Sequence, residues 1–145
     1  MTREEFISAL RAKTQGAAAG RRKSRYAEDK LHMNCKSWFD FRYPAMAALL
    51  HHSPNEGLLP HGGRDGAKRK AMGVRPGFPD FVLLVPSGRW HYLCIELKTP
   101  EGRLSPSQRL YRREVERAGG MYAVCRSLEQ FTGTVNEYLK ASDNV

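Results

Sequence analysis

The chain has 145 residues, which is enough for one domain with a hydrophobic core and too few for two such domains. Its formal net charge of +9 favours a polyanionic partner such as nucleic acid. Because no apolar run is long enough to cross a bilayer and the N-terminus lacks an apolar signal segment, we expect an intracellular protein with no membrane partner. The three cysteines include no C-x-x-C pair, which argues against a disulfide scaffold or a zinc finger.

Two helices are predicted ahead of the first strand. A capping box at residues 2–5 opens a short first helix, and Ser24 is a candidate cap for a longer second helix. Between them, residues 15–25 combine alanines, glycines and a basic cluster, so we predict a linker or a mobile basic arm there. The chain is therefore expected to divide into an N-terminal helix and basic arm, 1–23, and a main domain, 24–145.

The rest of the chain is predicted to form a sheet combined with further helices. Apolar stretches bounded by turn residues mark the strands, while capping residues and glycines mark the helix ends. We predict an α/β fold with a central mixed β-sheet flanked by helices, in the order αββ(β)αβα. The predicted segments are a strand at 47–52, a long loop at 53–78, hairpin strands at 80–85 and 90–98, a helix capped by Ser105, a strand at 121–126 and a helix from Ser127 to about Lys140.

The predicted hairpin determines which acidic side chains meet. If the hairpin turns about Gly88 with an odd number of loop residues, paired residues lie the same number of positions before and after Gly88. Asp80 then lies opposite Glu96, and both side chains are on one face of the sheet. A two-residue loop would shift the pairing by one and turn Glu96 to the other face. Lys98 shares the face of Glu96 because side chains alternate along a strand, and Leu97 points into the core.

Two adjacent carboxylates repel each other, so the pair calls for a compensating positive group. A divalent cation with oxygen ligands meets this need, and Mg²⁺ held in this way suits phosphodiester hydrolysis. Lys98 could orient or help to deprotonate the attacking water and stabilise the pentavalent transition state. On residue types alone, the alternative is an exposed salt bridge between Glu96 and Lys98 at a strand edge.

These motifs resemble those of a known nuclease superfamily. Pro79-Asp80 followed by Glu96-Leu97-Lys98 is similar to the PD-(D/E)XK signature. The longer pattern, G-V-R-P-G-x-P-D at 73–80, I-E-L-K-T at 95–99 and G-R-L-S-x-x-Q at 102–108, resembles the VRR-NUC (virus-type replication-repair nuclease) family. The resemblance implies a restriction-endonuclease-like core and a metal-dependent DNA endonuclease acting on branched DNA, with a four-way junction as the expected substrate. It also implies a homodimer in a bacterial or phage-infected cytoplasm.

The resemblance further implies roles for individual residues. Lys98 would be the catalytic lysine, and Gln108 would be the family's glutamine beside the site, although a purely capping role is the alternative. Glu28 matches a glutamate on the first core helix, the alternative being a solvated helix acid; no ligand role is expected of His51 or His52. The cofactor would be Mg²⁺, with Mn²⁺ as a substitute. The implied metal ligands are Glu28, Asp80, Glu96 and the backbone carbonyl of Leu97.

Basic side chains near the motifs predict contacts with DNA phosphates. No recognition helix stands out in the sequence, so we expect recognition of shape or backbone rather than of base sequence. Two alternative functions are a non-catalytic, structure-selective DNA-binding module and a nuclease subunit active only with a helicase or recombination partner. The predicted DNA contacts are Arg64, Lys68, Arg69, Lys70, Arg75 and Arg103.

Overall fold

The computed structural model describes residues 3–54 and 64–141, with side chains described for 20–54 and 66–141. Within these ranges the strands form one four-stranded sheet in the order β1-β2-β3-β4, in which β1-β2 and β2-β3 pair antiparallel and β3-β4 pair parallel. The predicted α/β fold with a mixed sheet flanked by helices is confirmed. In the described chain the elements are α1 (Arg3–Arg42), a 3₁₀ helix (Pro44–Leu49), β1 (Leu50–His51), α2 (Arg64–Ala71), β2 (Phe81–Leu83), β3 (Leu93–Leu97), α3 (Pro106–Arg117), β4 (Met121–Cys125) and α4 (Leu128–Lys140).

The two central strands are buried on both faces, because helices cover the sheet from both sides. On one face, alternate residues of β2 and β3 pack with side chains of α1 and α4. On the other face, Val82 and Cys94 pack with Val115 of α3. Each large apolar side chain that is fully buried contributes roughly 1.5–3 kcal/mol to the free energy of unfolding. The first and larger core includes Cys35, Phe39, Phe81, Leu83, Leu93, Ile95, Phe131 and Val135.

The predicted linker at residues 15–25 is wrong, because α1 runs without a break from Arg3 to Arg42. Alanine, arginine and lysine are strong helix formers, and an isolated glycine costs a helix only about 1 kcal/mol, so this composition supports a helix as well as a linker. The division into 1–23 and 24–145 stays a prediction. No helix within 3–54 and 64–141 combines the length and the apolar character that a bilayer crossing requires.

Two further segments differ from the prediction. The strand predicted at 47–52 is mostly a 3₁₀ helix, Pro44–Leu49, and only Leu50 and His51 pair with β2. Proline at the start of a helix is well tolerated, since its missing N–H would have no partner there. The loop predicted at 53–78 contains α2, whose basic residues and alanines have good helix propensity. The capping box predicted at residues 2–5 lies outside the described side chains.

The pairing of β2 with β3 is the predicted one, although the turn is different. Phe81 pairs with Ile95 and Leu83 with Leu93, so opposite residues are equidistant from Gly88. The loop, however, has two residues, because Ser87 and Trp90 exchange both backbone hydrogen bonds at 2.9 Å. The chain from Leu83 to Ser87 is one residue longer than the chain from Trp90 to Leu93, and this bulge restores the predicted register.

Gly77 lies where the chain passes the first turn of α3. Its φ is 82°, a conformation that other residues rarely adopt. A Cβ atom added here would lie 2.5 Å from the carbonyl carbon and oxygen of Ser107 and 2.8 Å from the backbone nitrogen of Gln108. Glycine is therefore required at this position for the chain to pass close to α3 and place Asp80, three residues later, beside that helix.

We expect Gly77→Ala to lower the free energy of unfolding by roughly 1–3 kcal/mol, because the added methyl group overlaps backbone atoms of α3. Urea unfolding followed by circular dichroism measures the change. Gly133→Ala is the matched control, since its added Cβ meets no atom within 4 Å. In the interior of α4 that change should stabilise the protein by up to about 1 kcal/mol. Equal stability of Gly77→Ala and the wild type would contradict the packing described.

Candidate active site

The register of β2 and β3 brings two carboxylates together. Phe81 and Ile95 form the last assigned pair, and Asp80 and Glu96 are the next residues on the two strands. Both side chains lie on the face of the sheet that is covered by α3. Glu96 is only 4% exposed, and the Asp80 Oδ2 atom accepts a hydrogen bond of 2.7 Å from the backbone N–H of Leu97. The backbone thus fixes Asp80 directly beside Glu96.

Within the described side chains and backbone, a hydrogen-bond donor reaches just one of the two carboxylate oxygens of Glu96. Oε1 accepts a hydrogen bond of 2.8 Å from Gln108 Nε2 and lies 3.8 Å from Lys98 Nζ. Oε2 is buried and has no hydrogen-bond partner among the described residues. A buried carboxylate oxygen without a donor is costly, so it calls for another positive partner. An added cation at this oxygen fits the donor set.

Gln108 both caps α3 and contacts Glu96. Its backbone N–H donates to the Ser105 hydroxyl, and its side-chain oxygen accepts a hydrogen bond of 2.8 Å from the Ser105 N–H, which completes a capping box. Because the amide oxygen is used in the cap, the amide nitrogen faces Glu96. The capping role and a position beside Glu96 therefore coexist in one side chain.

The electrostatics of the pair favour a shared proton when no cation is bound. Burial is the main cause that raises the pKa of Glu96 from its ordinary value of 4.5 to about 8, and the charge of Asp80 is the second. The charge of Glu28 raises it further, while the ammonium of Lys98 lowers it. Burial also raises the pKa of Asp80, although the hydrogen bond from the Leu97 N–H opposes this effect.

All the residues predicted as catalytic or metal-binding line one cavity of about 220 Å³. The central strands supply the acids and the lysine, α3 supplies the glutamine, and α1 supplies Glu28 from a part of the chain that no local motif marks. The structure thus gives the positions of these residues, and their catalytic and ligand roles remain predictions. The cavity is lined by Glu28, Asp80, Glu96, Leu97, Lys98 and Gln108, together with Ser53, Gly77 and Phe78.

The predicted DNA contacts lie on other parts of the surface. Most are on α2 or in the segment that follows it, and one lies between β3 and α3. Arg64 begins α2, and its side chain is outside the described residues. None of the described members of this set lines the cavity. The exposed members are Lys68, Arg69, Lys70, Arg75 and Arg103.

Two histidines lie beside Asp80, an arrangement that the sequence did not predict. One ring nitrogen each from His32 and His52 and a carboxylate oxygen of Asp80 lie within 4.8 Å of one another. The sequence gives no reason to expect a ligand role for His52, and no motif marks His32. The spacing of Glu28 and His32 could have indicated that His32 lies near the site. Residues four apart lie on the same face of a helix, so His32 shares the face of Glu28.

The raised pKa of Glu96 predicts how the stability of the metal-free protein depends on pH. The folded state binds this proton more tightly than the unfolded chain, so the contribution of Glu96 is greatest below pH 4.5 and is lost as the pH rises to about 8. In the Glu96→Gln variant this side chain is neutral at every pH, so this loss of stability does not occur. In chelator, we expect the variant to melt above the wild type at about pH 9 and close to it near pH 4.5.

Glu137→Gln is the matched control for this measurement. Glu137 is exposed and lies 3.0 Å from Lys140, away from the cavity, so this variant should follow the wild-type pH dependence. Thermal unfolding by circular dichroism across the pH range compares the three proteins. A difference between Glu96→Gln and the wild type that stays constant across the range would show that the Glu96 proton is not held as described.

Comparisons with known proteins bear on the same region. Residues 24–129 match the model of the VRR-NUC domain. A search of curated proteins returned no match. A solved structure named as a VRR_NUC domain protein is similar in fold, with a TM-score of 0.69 and 24% identity over 79% of this chain and 89% of that chain. The matched range includes the strands, α3 and every residue that lines the cavity, and the chain therefore belongs to the VRR-NUC family of nucleases.

Proposed function

We propose that this protein is a metal-dependent endonuclease that hydrolyses phosphodiester bonds in branched DNA. The observation that carries the proposal is the convergence of Asp80, Glu96 and Lys98 on one cavity, where the Oε2 atom of Glu96 has no hydrogen-bond partner within residues 20–54 and 66–141. A protein that only binds DNA gains nothing from a buried acid beside a second, partly buried one, because both would repel the phosphates. Paired acids with an adjacent lysine are instead suited to hold a divalent cation against a phosphate.

The donor set fits Mg²⁺. The carboxylates of Glu28, Asp80 and Glu96 and the backbone carbonyl of Leu97 offer oxygen atoms alone, which hard cations prefer. When bound, such a cation supplies Lewis-acid stabilisation of phosphoryl oxygens and lowers the pKa of a water molecule. Mn²⁺ has similar ligand preferences and is expected to substitute.

The protein's own residues would position the reacting groups. The Leu97 N–H holds Asp80, and the capped Gln108 holds Glu96, so both acids are fixed before substrate binds. The side chain of Lys98 is 15% exposed and so can reach both Glu96 and a phosphate in the cavity. Its ammonium would orient the attacking water and donate hydrogen bonds to the phosphoryl oxygens as negative charge accumulates there.

DNA binding would rest mainly on phosphate contacts. The net charge of +9 provides attraction for any duplex, and the exposed basic side chains of α2, with Arg75 and Arg103, would position it at the cavity. Recognition of shape rather than base sequence suits a branched substrate. In a two-fold homodimer, two such cavities could address the two strands that must be cut in a four-way junction.

The direct test is cleavage of synthetic four-way, flapped and linear DNA by the purified chain with Mg²⁺. We expect cleavage of branched DNA and its loss in chelator. Lys98→Ala should reduce the rate by at least about a hundredfold while junction binding persists, because the lysine acts on the transition state. Lys140→Ala is the control, since this exposed lysine pairs with Glu137 away from the cavity.

Three outcomes would contradict parts of this proposal. If no DNA form is cut with Mg²⁺ or Mn²⁺ although junctions are bound, the chain is a binding module. Wild-type rates in Lys98→Ala would remove the lysine from the mechanism. Equal rates on linear and branched DNA would reject the substrate class and leave the nuclease proposal standing.

A further inference from the structure

A second group of ligand-type side chains lies next to the cavity, and its two histidines have no part in the function proposed above. His32 comes from α1, His52 follows β1, and Asp80 precedes β2, so three separate segments meet here. One ligand atom from each lies within 4.8 Å of the others, and all three residues are partly exposed. A cation from solvent could therefore reach this group without unfolding the surrounding structure.

The two imidazole rings are held in place by packing and a hydrogen bond. His52 Nδ1 lies 2.7 Å from the backbone carbonyl oxygen of Asp80, and in the tautomer that donates this bond Nε2 carries the lone pair. Metal-binding histidines typically donate their other ring N–H to a carbonyl or carboxylate in this way. The ring of His32 stacks on the buried ring of Phe81, with centroids 4.1 Å apart, and meets the His52 ring edge-on at 4.2 Å.

We propose that His32, His52 and Asp80 form a site for a first-row transition metal ion. Two imidazole nitrogens and one carboxylate oxygen favour ions such as Zn²⁺ or Co²⁺ over Mg²⁺, which prefers oxygen ligands. The ligand atoms of a tetrahedral zinc ion lie roughly 3.3 Å apart, so small side-chain rotations would close the present spacing. Binding of a metal ion at this site can be measured whether or not the protein cleaves DNA.

Asp80 belongs to both groups of ligands, but the other members differ. Glu28, Glu96 and Gln108 line the oxygen-rich cavity, whereas the histidines do not. Since a carboxylate has two oxygens, Asp80 can contribute to either group. Variants of the histidines and of Glu96 therefore separate the two sites experimentally.

Co²⁺ is a suitable probe because its visible absorption reports nitrogen ligands and coordination number. Titrating Co²⁺ into the metal-free full chain should produce absorption bands and saturable binding. We expect His32→Gln and His52→Gln each to weaken Co²⁺ binding by about tenfold or more and to change the bands. Glu96→Gln should retain the bands while losing the increase in melting temperature that Mg²⁺ gives the wild type.

His51→Gln is the matched control, because His51 is the exposed neighbour of His52 and is not part of the group. It should bind Co²⁺ as the wild type does. Melting temperatures confirm that each variant is folded, and the two histidine variants test the site independently if one fails to fold.

Wild-type Co²⁺ affinity in a folded His32→Gln or His52→Gln variant would overturn the proposal, as would bands that require Glu96 but neither histidine. Histidine-dependent bands without DNA cleavage would support this site and contradict only the nuclease function.

Discussion

The repulsion between the carboxylates of Asp80 and Glu96 is the constraint around which the site is arranged. Backbone pairing of β2 with β3 fixes these side chains next to each other and mostly out of water. Sliding one strand by a residue would relieve the repulsion, but it would also turn the apolar residues of that strand away from the core. The hydrophobic core on the opposite face, with Phe81 and Ile95, therefore maintains an arrangement that the carboxylates alone oppose.

The elements around the pair reduce this cost in part. The Leu97 N–H and the Gln108 amide each donate to one carboxylate, and the ammonium of Lys98 lies 3.8 Å from Glu96. The N-terminal turn of α3, with its partial positive charge, also begins beside Glu96. One carboxylate oxygen of Glu96 nevertheless has no donor in the part of the chain that the structure describes, which is the clearest physical reason for a cation in the cavity.

The sequence supports the fold class and the central site because both follow from local patterns. Strand alternation and the equidistance of Asp80 and Glu96 from Gly88 predicted their shared face. The turn itself was predicted incorrectly, since a two-residue loop and a bulge compensate each other and neither has a distinct sequence pattern. The predicted linker failed for a related reason: alanine and basic residues are compatible with both a helix and a mobile arm, and composition does not separate the two.

Contacts between distant segments were the least predictable feature. The family pattern suggested Glu28, but only the path of α1 across the sheet explains how it reaches the cavity. His32 and His52 lie on separate segments, and nothing local indicates that their rings meet edge-on beside Asp80. The capping role of Gln108 was easier to predict, because the S-x-x-Q pattern indicates it directly. Its hydrogen bond to Glu96 depends on tertiary packing and does not follow from that pattern.

The most direct test of the central claim is a double-mutant cycle of Asp80→Asn and Glu96→Gln, measured as free energies of unfolding at about pH 9, which is above the raised pKa of about 8 of Glu96. In chelator, the account predicts that the coupling between the two side chains is unfavourable. Saturating Mg²⁺ should make the coupling favourable, because only the protein with both acids binds the ion tightly. A coupling that is zero in chelator, or that is unchanged by Mg²⁺, would contradict the claim that these acids are paired to hold a divalent cation.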